Sequence, residues 1–232
     1  SLMADKKIVV VQLSGGNDYL NCIIPYNNPD YVDNRPNVRI TEDEVIPIGN
    51  GLGMNPAMAP IKDLYDQGNV AVVHGVGYPT PNRSHFRSMD IWHTAEPTKV
   101  GNEGWLGNTI NQLHPQHDNV VAAVNFGSGL PRALVSHGAP VASVTDLETY
   151  GLMNHMGDTS QRNEALQAFR DMYTQALGSG PVMDYLSQTG LDALKGADIL
   201  GTVTEKYSSD VEYATNSFAK AMKGAAQVLQ AD

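Results

Sequence analysis

The sequence predicts a three-layer α/β domain with a mainly parallel sheet. Residues 7–13 contain four consecutive β-branched side chains, Ile8 to Val11, without polar alternation, which is typical of a strand buried on both faces. Residues 70–76 form a second run of this kind, and residues 57–67 between them have helical periodicity that ends at Gly68. A strand, a helix and a strand in this order predict a right-handed βαβ unit in which both strands are central and parallel.

The remaining elements are predicted from the same signals. Residues 25–55 are rich in loops, and residues 158–161 resemble a capping box that opens a helix. Further strands are predicted at residues 120–125 and, more weakly, 133–136, and further helices at residues 84–93, 104–113, 182–194 and 210–229. We expect one domain over residues 1–232, with a sheet-bearing core in 1–147 and a mainly helical part in 148–232.

Composition excludes several classes of function. The net charge is −10 and no segment is rich in Lys or Arg, which argues against nucleic acids and anionic membrane surfaces as partners. No apolar run reaches the length of a membrane span. The single cysteine, Cys22, excludes an internal disulfide and a multi-cysteine metal site, and its apolar neighbours predict a buried, inert thiol.

The turn after the first predicted strand is the first candidate for chemistry. Residues 14–18 read Ser-Gly-Gly-Asn-Asp, and open α/β sheets bind ligands just beyond the carboxyl ends of their strands. Asp18 is therefore a candidate active-site residue, although the same residues are also ordinary turn formers. The turn has neither the Gly-Lys-Ser/Thr of a phosphate-binding loop nor the Gly-x-Gly-x-x-Gly of a dinucleotide site, which argues against ATP and NAD.

The segment after the second predicted strand is the second candidate. Ser84 falls where a helix should begin, and capping that helix is the commoner role for a serine in this position. The alternative is a nucleophile or metal ligand in the positive field of the helix N-terminus. In that case Arg83 would hold an anion, and His85 would orient or transfer a proton.

Five segments together resemble a bacterial family known as domain of unknown function 1501. They occur in the family's order: residues 9–21, Pro25-Tyr26, residues 53–60, residues 74–86 with their Arg-Ser-His-Phe, and the Gly-Trp-Leu-Gly of residues 104–107. The family is grouped with the alkaline phosphatases and sulfatases. The resemblance therefore implies an alkaline-phosphatase-like sheet whose C-terminal strands are missing from this chain.

The resemblance also implies a hydrolase of small anionic substrates, either phosphate or sulfate esters. In this clan an Asp after the first strand binds metal, and a Ser or Thr at a helix start is the metal-activated nucleophile. Asp18 and Ser84 match these positions, and the metal would be zinc, calcium or magnesium. The family's later Phe-Asp-Thr-His and Asp-His-Gly segments do not occur here. We therefore expect no tightly bound metal and no appreciable hydrolysis in the 232-residue chain.

Family members usually begin with a twin-arginine export signal. The resemblance thus implies an exported protein, periplasmic or at the cell surface, whose signal lies outside this sequence. The alternative function is a non-catalytic exported or cell-surface binding protein with the same fold. Missing strands would leave a bare sheet edge, which a homodimer, the C-terminal helices or further residues could cover. We expect a homodimer.

Overall fold

A computed structural model describes residues 7–13, 16–116, 119–127, 129–148, 150–151, 156–174 and 181–231. The chain forms two compact units. The N-terminal unit is Ile8–Gly77, and the C-terminal unit is Tyr78–Asp232 together with Ser1–Lys7. Each unit has its own small sheet and its own core, and the single domain over residues 1–232 stays a prediction.

The N-terminal unit is built on a three-stranded antiparallel sheet with the strand order β1-β3-β2. In chain order its elements are a 3-10 helix at Tyr19–Asn21, β1 at Ile23–Ile24, α1 at Pro29–Asn34, β2 at Ile46–Gly49, β3 at Leu52–Met54, a 3-10 helix at Pro56–Met58, and α2 at Ala59–Asp66. Ile24, Tyr31 and Val45 form the buried core of this unit.

The hairpin of β2 and β3 is determined by its turn residues. Asn50 and Gly51 both have positive φ, at 55° and 72°, as a tight two-residue hairpin turn requires. Within β3, Gly53 lies so close to Val45 that an added Cβ would be 2.6 Å from the valine Cβ. A glycine at that position lets Val45 pack directly over the strand.

Helix α2 confirms the helix predicted at residues 57–67. The backbone N–H of Asn69 donates to the carbonyl of Leu64 at 2.9 Å, and that of Gly68 donates to Tyr65 at 2.9 Å. Gly68 itself has φ +77°, the left-handed conformation that commonly ends helices. The predicted glycine stop is therefore confirmed.

The C-terminal unit contains a two-stranded parallel sheet and is otherwise mainly helical. In chain order its elements are α3 at His85–Thr94, α4 at Trp105–Leu113, β4 at Ala123–Phe126, a 3-10 helix at Arg132–Leu134, β5 at Val141–Val144, α5 at Thr159–Thr174, α6 at Pro181–Gly201, α7 at Val203–Lys206 and α8 at Ser217–Ala231. Strands β4 and β5 pair in parallel, from Ala123 opposite Val141 to Phe126 opposite Val144. Val144, Leu147, Leu200 and Val203 form the buried core.

Local capping residues set the beginnings of two of these helices. The Asp158 carboxylate accepts from the backbone N–H groups of Ser160 at 2.8 Å and Gln161 at 3.2 Å, which confirms the predicted cap of α5. Helix α8 was predicted from residue 210 but begins at Ser217. The side chain of Asn216 accepts from the N–H of Ala219 at 2.8 Å, so an asparagine cap starts the helix later than its apolar pattern suggests.

The Gly-Trp-Leu-Gly segment allows the start of α4 to lie against residues 132–136. The N–H of Gly104 donates to the carbonyl of Val135 at 2.7 Å. A Cβ on Gly104 would overlap the carbonyl oxygens of Arg132 and Ala133. A Cβ on Gly107 would be 2.7 Å from the Cβ of Ser136. Both glycines therefore have a packing role, since no side chain fits at either position.

Three predicted strands are wrong. Residues 7–13 and 70–76 are not strands, and most of their apolar side chains are exposed, with Ile8 at 80% and Val73 at 71%. Residues 133–136 overlap the 3-10 helix Arg132–Leu134 instead. An apolar, β-branched run favours an extended backbone, but a strand exists only where a partner completes the hydrogen-bond ladder. In each unit the sheet is formed by other segments.

The coarse fold prediction is confirmed, because the chain is mixed α/β and contains parallel strand pairing. Its parallel sheet has two strands, β4 and β5. The strand predicted at residues 120–125 is confirmed as β4, shifted toward the C-terminus. Its partner, β5, was not predicted.

Candidate functional site

Asp18 lies in the N-terminal unit at the start of the first 3-10 helix. Its carbonyl accepts from the N–H of Asn21 at 3.0 Å. The preceding turn includes Gly16 at φ +88°, whereas Ser14 and Gly15 lie outside the described residues. The side chain of Asp18 is half exposed and faces the guanidinium of Arg35.

Asp18 and Arg35 form a bidentate ion pair. Arg35 donates from Nη1 to Oδ2 at 2.7 Å and from Nη2 to Oδ1 at 2.9 Å. These hydrogen bonds, followed by the charge of the guanidinium, hold the pKa of Asp18 below its ordinary value. Both carboxylate oxygens of the predicted metal ligand are therefore already engaged by a cation.

The partners of Arg35 are themselves held in place. Its guanidinium carbon lies 5.7 Å from the centre of the Tyr31 ring, and the Tyr31 hydroxyl donates to the side-chain oxygen of Asn21 at 2.8 Å. Asn55 then donates from its amide to the carbonyl of Asn21 at 2.8 Å. The sequence did not identify Arg35, Tyr31 or Asn55 as neighbours of Asp18, because 13 to 37 residues separate them along the chain.

In the N-terminal unit, Tyr19 beside Asp18 contacts His74 from the segment predicted as the second strand. The Tyr19 hydroxyl and the Nδ1 of His74 lie 2.9 Å apart, with the rings edge-on and their centres 6.0 Å apart. Nearby in sequence, the thiol of Cys22 donates to the Asn17 side chain at 3.3 Å and is half-buried. The residues after Asp18 therefore have polar contacts that hold the turn.

Ser84 lies in the C-terminal unit as the N-cap of α3. Its Oγ accepts from the N–H of Arg87 at 3.4 Å, which is long for a capping bond. Its own N–H donates to the Asn82 side chain at 2.8 Å. Arg83, Ser84 and His85 are all exposed, so three of the predicted site residues are consecutive at one helix N-terminus.

A network of arginines fixes the helix that carries Ser84. Arg87 donates to the carbonyls of Glu96 at 3.1 Å and Lys99 at 2.7 Å, and Asp90 pairs with Arg132. Arg132 also donates to the carbonyl of Gly101. This network was not predictable from the sequence, since nothing in the spacing of the residues indicates which carbonyls an arginine will reach.

The four predicted site residues are divided between the two units. Asp18 belongs to the N-terminal unit, whereas Arg83, Ser84 and His85 belong to the C-terminal unit. A site shared by Asp18 and Ser84 therefore stays a prediction. Within the described ranges no three His, Cys, Asp or Glu side chains gather where they could hold a metal ion. These residues alone do not fit a hydrolytic metal pair, which needs several more ligands.

Comparisons with protein-family models, with curated proteins and with solved structures find no match to this chain. The family resemblance accordingly rests on the five sequence segments themselves. Among the described residues, no helix combines the length and the apolar character needed to cross a membrane.

Proposed function

We propose that this chain belongs to an exported, metal-dependent hydrolase of phosphate or sulfate esters, with Ser84 as the nucleophile. The observation that carries the proposal is the arrangement at the start of α3. A serine hydroxyl with a long capping bond stands exposed between an exposed arginine and an exposed histidine. The three side chains have the chemistry required to bind an anionic ester and to attack it.

The reaction would proceed by transfer of the phosphoryl or sulfuryl group to Ser84. The Oγ attacks phosphorus or sulfur, and the ester oxygen leaves as an alcohol. The proton of Ser84 passes to His85 and from there to the departing oxygen, while Arg83 binds the non-bridging oxygens. Water then cleaves the serine ester and releases phosphate or sulfate. Asp18 would supply a metal ligand, but we assign no step to the metal because the described residues do not form its centre.

The finer fold prediction and the location belong to the same proposal. A three-layer, alkaline-phosphatase-like sheet is the fold that the family resemblance implies. Export to the periplasm or cell surface follows from the family resemblance.

The test is hydrolysis of aryl phosphates and aryl sulfates by the protein at its natural length, with and without zinc, calcium or magnesium. Ser84→Ala should abolish turnover, and so should Ser84→Asp. The aspartate variant is the matched control, because it keeps a good helix cap but cannot act as the nucleophile. Full activity in Ser84→Asp with loss in Ser84→Ala would show that Ser84 acts only as a cap and would overturn its assignment as nucleophile.

The second candidate is a non-catalytic exported or cell-surface binding protein. It is favoured by the Asp18–Arg35 pair, which engages both oxygens of the predicted metal ligand. A binding protein would show neither metal uptake nor turnover at natural length. Metal analysis of the purified protein, made alongside the hydrolysis assay, distinguishes the two.

A further inference from the structure

A cavity lies within the C-terminal unit, just beyond the carboxyl end of the parallel strand β5. It encloses about 290 Å³, near the small end of the range for small-molecule sites. Its walls come from the turn after β5, from α5, from α6 and from the start of α7. Open α/β sheets bind ligands just beyond the carboxyl ends of their parallel strands, so the position itself favours a ligand site.

Two helix faces form the main walls of the cavity. The α5 residues of the lining are one turn apart, and those of α6, residues 194, 197, 198 and 201, have the spacing of a single helix face. The helices are in close contact beside Gly190, where an added Cβ would overlap the ring of Tyr173. At Gly201, in contrast, an added Cβ would meet nothing within 4 Å. The cavity is therefore the space between α5 and α6 where their facing sides separate.

Hydrogen bonds fix the two turns that close the cavity. In the turn after β5, the Asp146 side chain accepts from the backbone N–H of Glu148 at 2.9 Å. Between α6 and α7, the Thr202 hydroxyl donates to the carbonyl of Ile199 at 2.9 Å. The walls are therefore formed before any ligand arrives.

The floor of the cavity is apolar. Leu147 and Leu194 are each 5% exposed, and Ala197 is 8% exposed. Leu147 also belongs to the buried core of the unit, and Leu166 is half-buried on the α5 wall. An aliphatic group of a ligand would find apolar neighbours on both helices.

The charged residues of the lining are Glu148, Arg162 and Asp198. The carboxylate of Glu148 lies 3.9 Å from the ammonium of Lys223 on α8, so its charge is already offset. Asp198 is exposed, and among the described residues it forms no ion pair. Arg162 is half-buried, and the five N–H donors of a guanidinium allow it to bind a carboxylate alongside its other contacts. A cation and an anion thus line one cavity without pairing with each other.

We propose that this cavity binds a free α-amino acid with an aliphatic side chain. The ligand is a zwitterion: Arg162 donates to its carboxylate, and Asp198 accepts from its ammonium. Its aliphatic side chain packs against the leucines of the floor. A simple amine would place a second cation beside Arg162, and a simple carboxylic acid would place a second anion beside Asp198. The zwitterion satisfies both charges, and it differs in class from the anionic ester proposed for Ser84.

The experiment is ligand-observed NMR with saturation transfer from the 232-residue chain. The probes share one branched aliphatic group: L-leucine, 3-methylbutylamine, which lacks the carboxylate, and 4-methylpentanoate, which lacks the ammonium. For leucine, a ligand of about nine non-hydrogen atoms, we expect a dissociation constant of about 1 mM. The amine and the acid should each bind about tenfold more weakly, because each loses one charge-assisted contact.

Variants of the two charged residues test the assignment of each contact. Asp198→Asn should weaken leucine binding by about tenfold and should not weaken binding of 4-methylpentanoate. Arg162→Gln should weaken the binding of both. The matched control is Asp192→Asn, because this carboxylate lies on the same helix, accepts from Gln188 at 2.7 Å and is outside the lining. Circular dichroism establishes that the variants fold; Asp198 is exposed, so its replacement tests the proposal even if Arg162→Gln does not fold.

Three outcomes would overturn the proposal. They are no saturation of leucine at about 10 mM, equal binding of leucine and either probe that lacks a charge, and equal leucine affinity in Asp198→Asn and Asp192→Asn. Ser84→Ala should bind leucine as the wild type does. Loss of ester hydrolysis in that variant would leave the amino-acid site standing, so the two proposals fail independently.

Discussion

Substitution of Gly104 by alanine should destabilise the C-terminal unit more than any surface change of the same size. The added methyl would overlap the carbonyl oxygens of Arg132 and Ala133, which are backbone atoms and cannot turn aside as a flexible side chain would. Relief requires α4 to move away from residues 132–136, which would stretch the 2.7 Å hydrogen bond from Gly104 to Val135.

The size of the effect follows from this geometry. Overpacking by a single methyl typically costs about 1–3 kcal/mol, and overlap with fixed backbone belongs at the upper end, near 3 kcal/mol. For a unit of this size, a loss of about 1 kcal/mol lowers Tm by roughly 2–4 °C. Gly104→Ala should therefore lower Tm by roughly 6–12 °C, measured by circular dichroism at 222 nm.

Gly201→Ala is the matched control. Gly201 is the last residue of α6, a Cβ there would meet nothing within 4 Å, and its φ is not in the left-handed region. Because alanine is the better helix former, this variant should keep or slightly raise Tm. A Gly104→Ala protein that melts within about 1 °C of wild type would refute the close approach of α4 to residues 132–136.

Three further predictions concern the other turns and caps. Because Arg35 lowers the pKa of Asp18, the stabilisation from this pair is present above the ordinary pKa of an aspartate and is lost as pH falls through the lowered value. In urea titrations, Arg35→Gln should therefore have a lower free energy of unfolding than the wild type at neutral pH, and this difference should shrink as pH falls. Gly51→Ala should destabilise the N-terminal unit by about 1 kcal/mol because the φ of Gly51 is +72°. Asn50→Gly in the same turn should be nearly neutral, and equal urea midpoints for the two variants would contradict this account. Ser84→Ala should cost only about 0.5–1 kcal/mol in the same titration because the capping bond is long at 3.4 Å, and a loss above about 2 kcal/mol would show a stronger structural role.

Helices were predicted well from the sequence because their signals are local. The cap at Asp158 and the glycine stop at Gly68 involve partners within five residues, so spacing alone identifies them. The β2–β3 hairpin also had a local signal in Asn50-Gly51, although residues 25–55 were predicted only as rich in loops.

Strands and site contacts were predicted poorly because both depend on distant partners. The apolar run at residues 7–13 has the composition of a buried strand, but composition does not specify which segment will pair with it. The same holds for the Asp18–Arg35 pair, which joins a turn to the end of α1 across 17 residues. The sequence identified Asp18 as a residue of interest but could not indicate that its carboxylate would face a guanidinium.

The segments that resemble the family fall into two groups. Packing explains the residues of some segments but not those of others. Gly104 and Gly107 seat α4, and Gly53 makes room for Val45. Asn55 caps the following 3-10 helix and holds the carbonyl of Asn21. These residues need no ligand to account for their presence.

The segment at residues 74–86 is different. Arg83 and His85 are exposed, and neither side chain contributes to a core cluster, while the bond that Ser84 makes to Arg87 is long. A long capping bond contributes little stability, so folding alone gives weak reason for an Arg-Ser-His sequence at the start of α3. The proposed chemistry at a bound anion would use all three side chains at once. Comparison of Ser84→Ala with Ser84→Asp is therefore the decisive experiment, since these two variants separate the cap from the nucleophile.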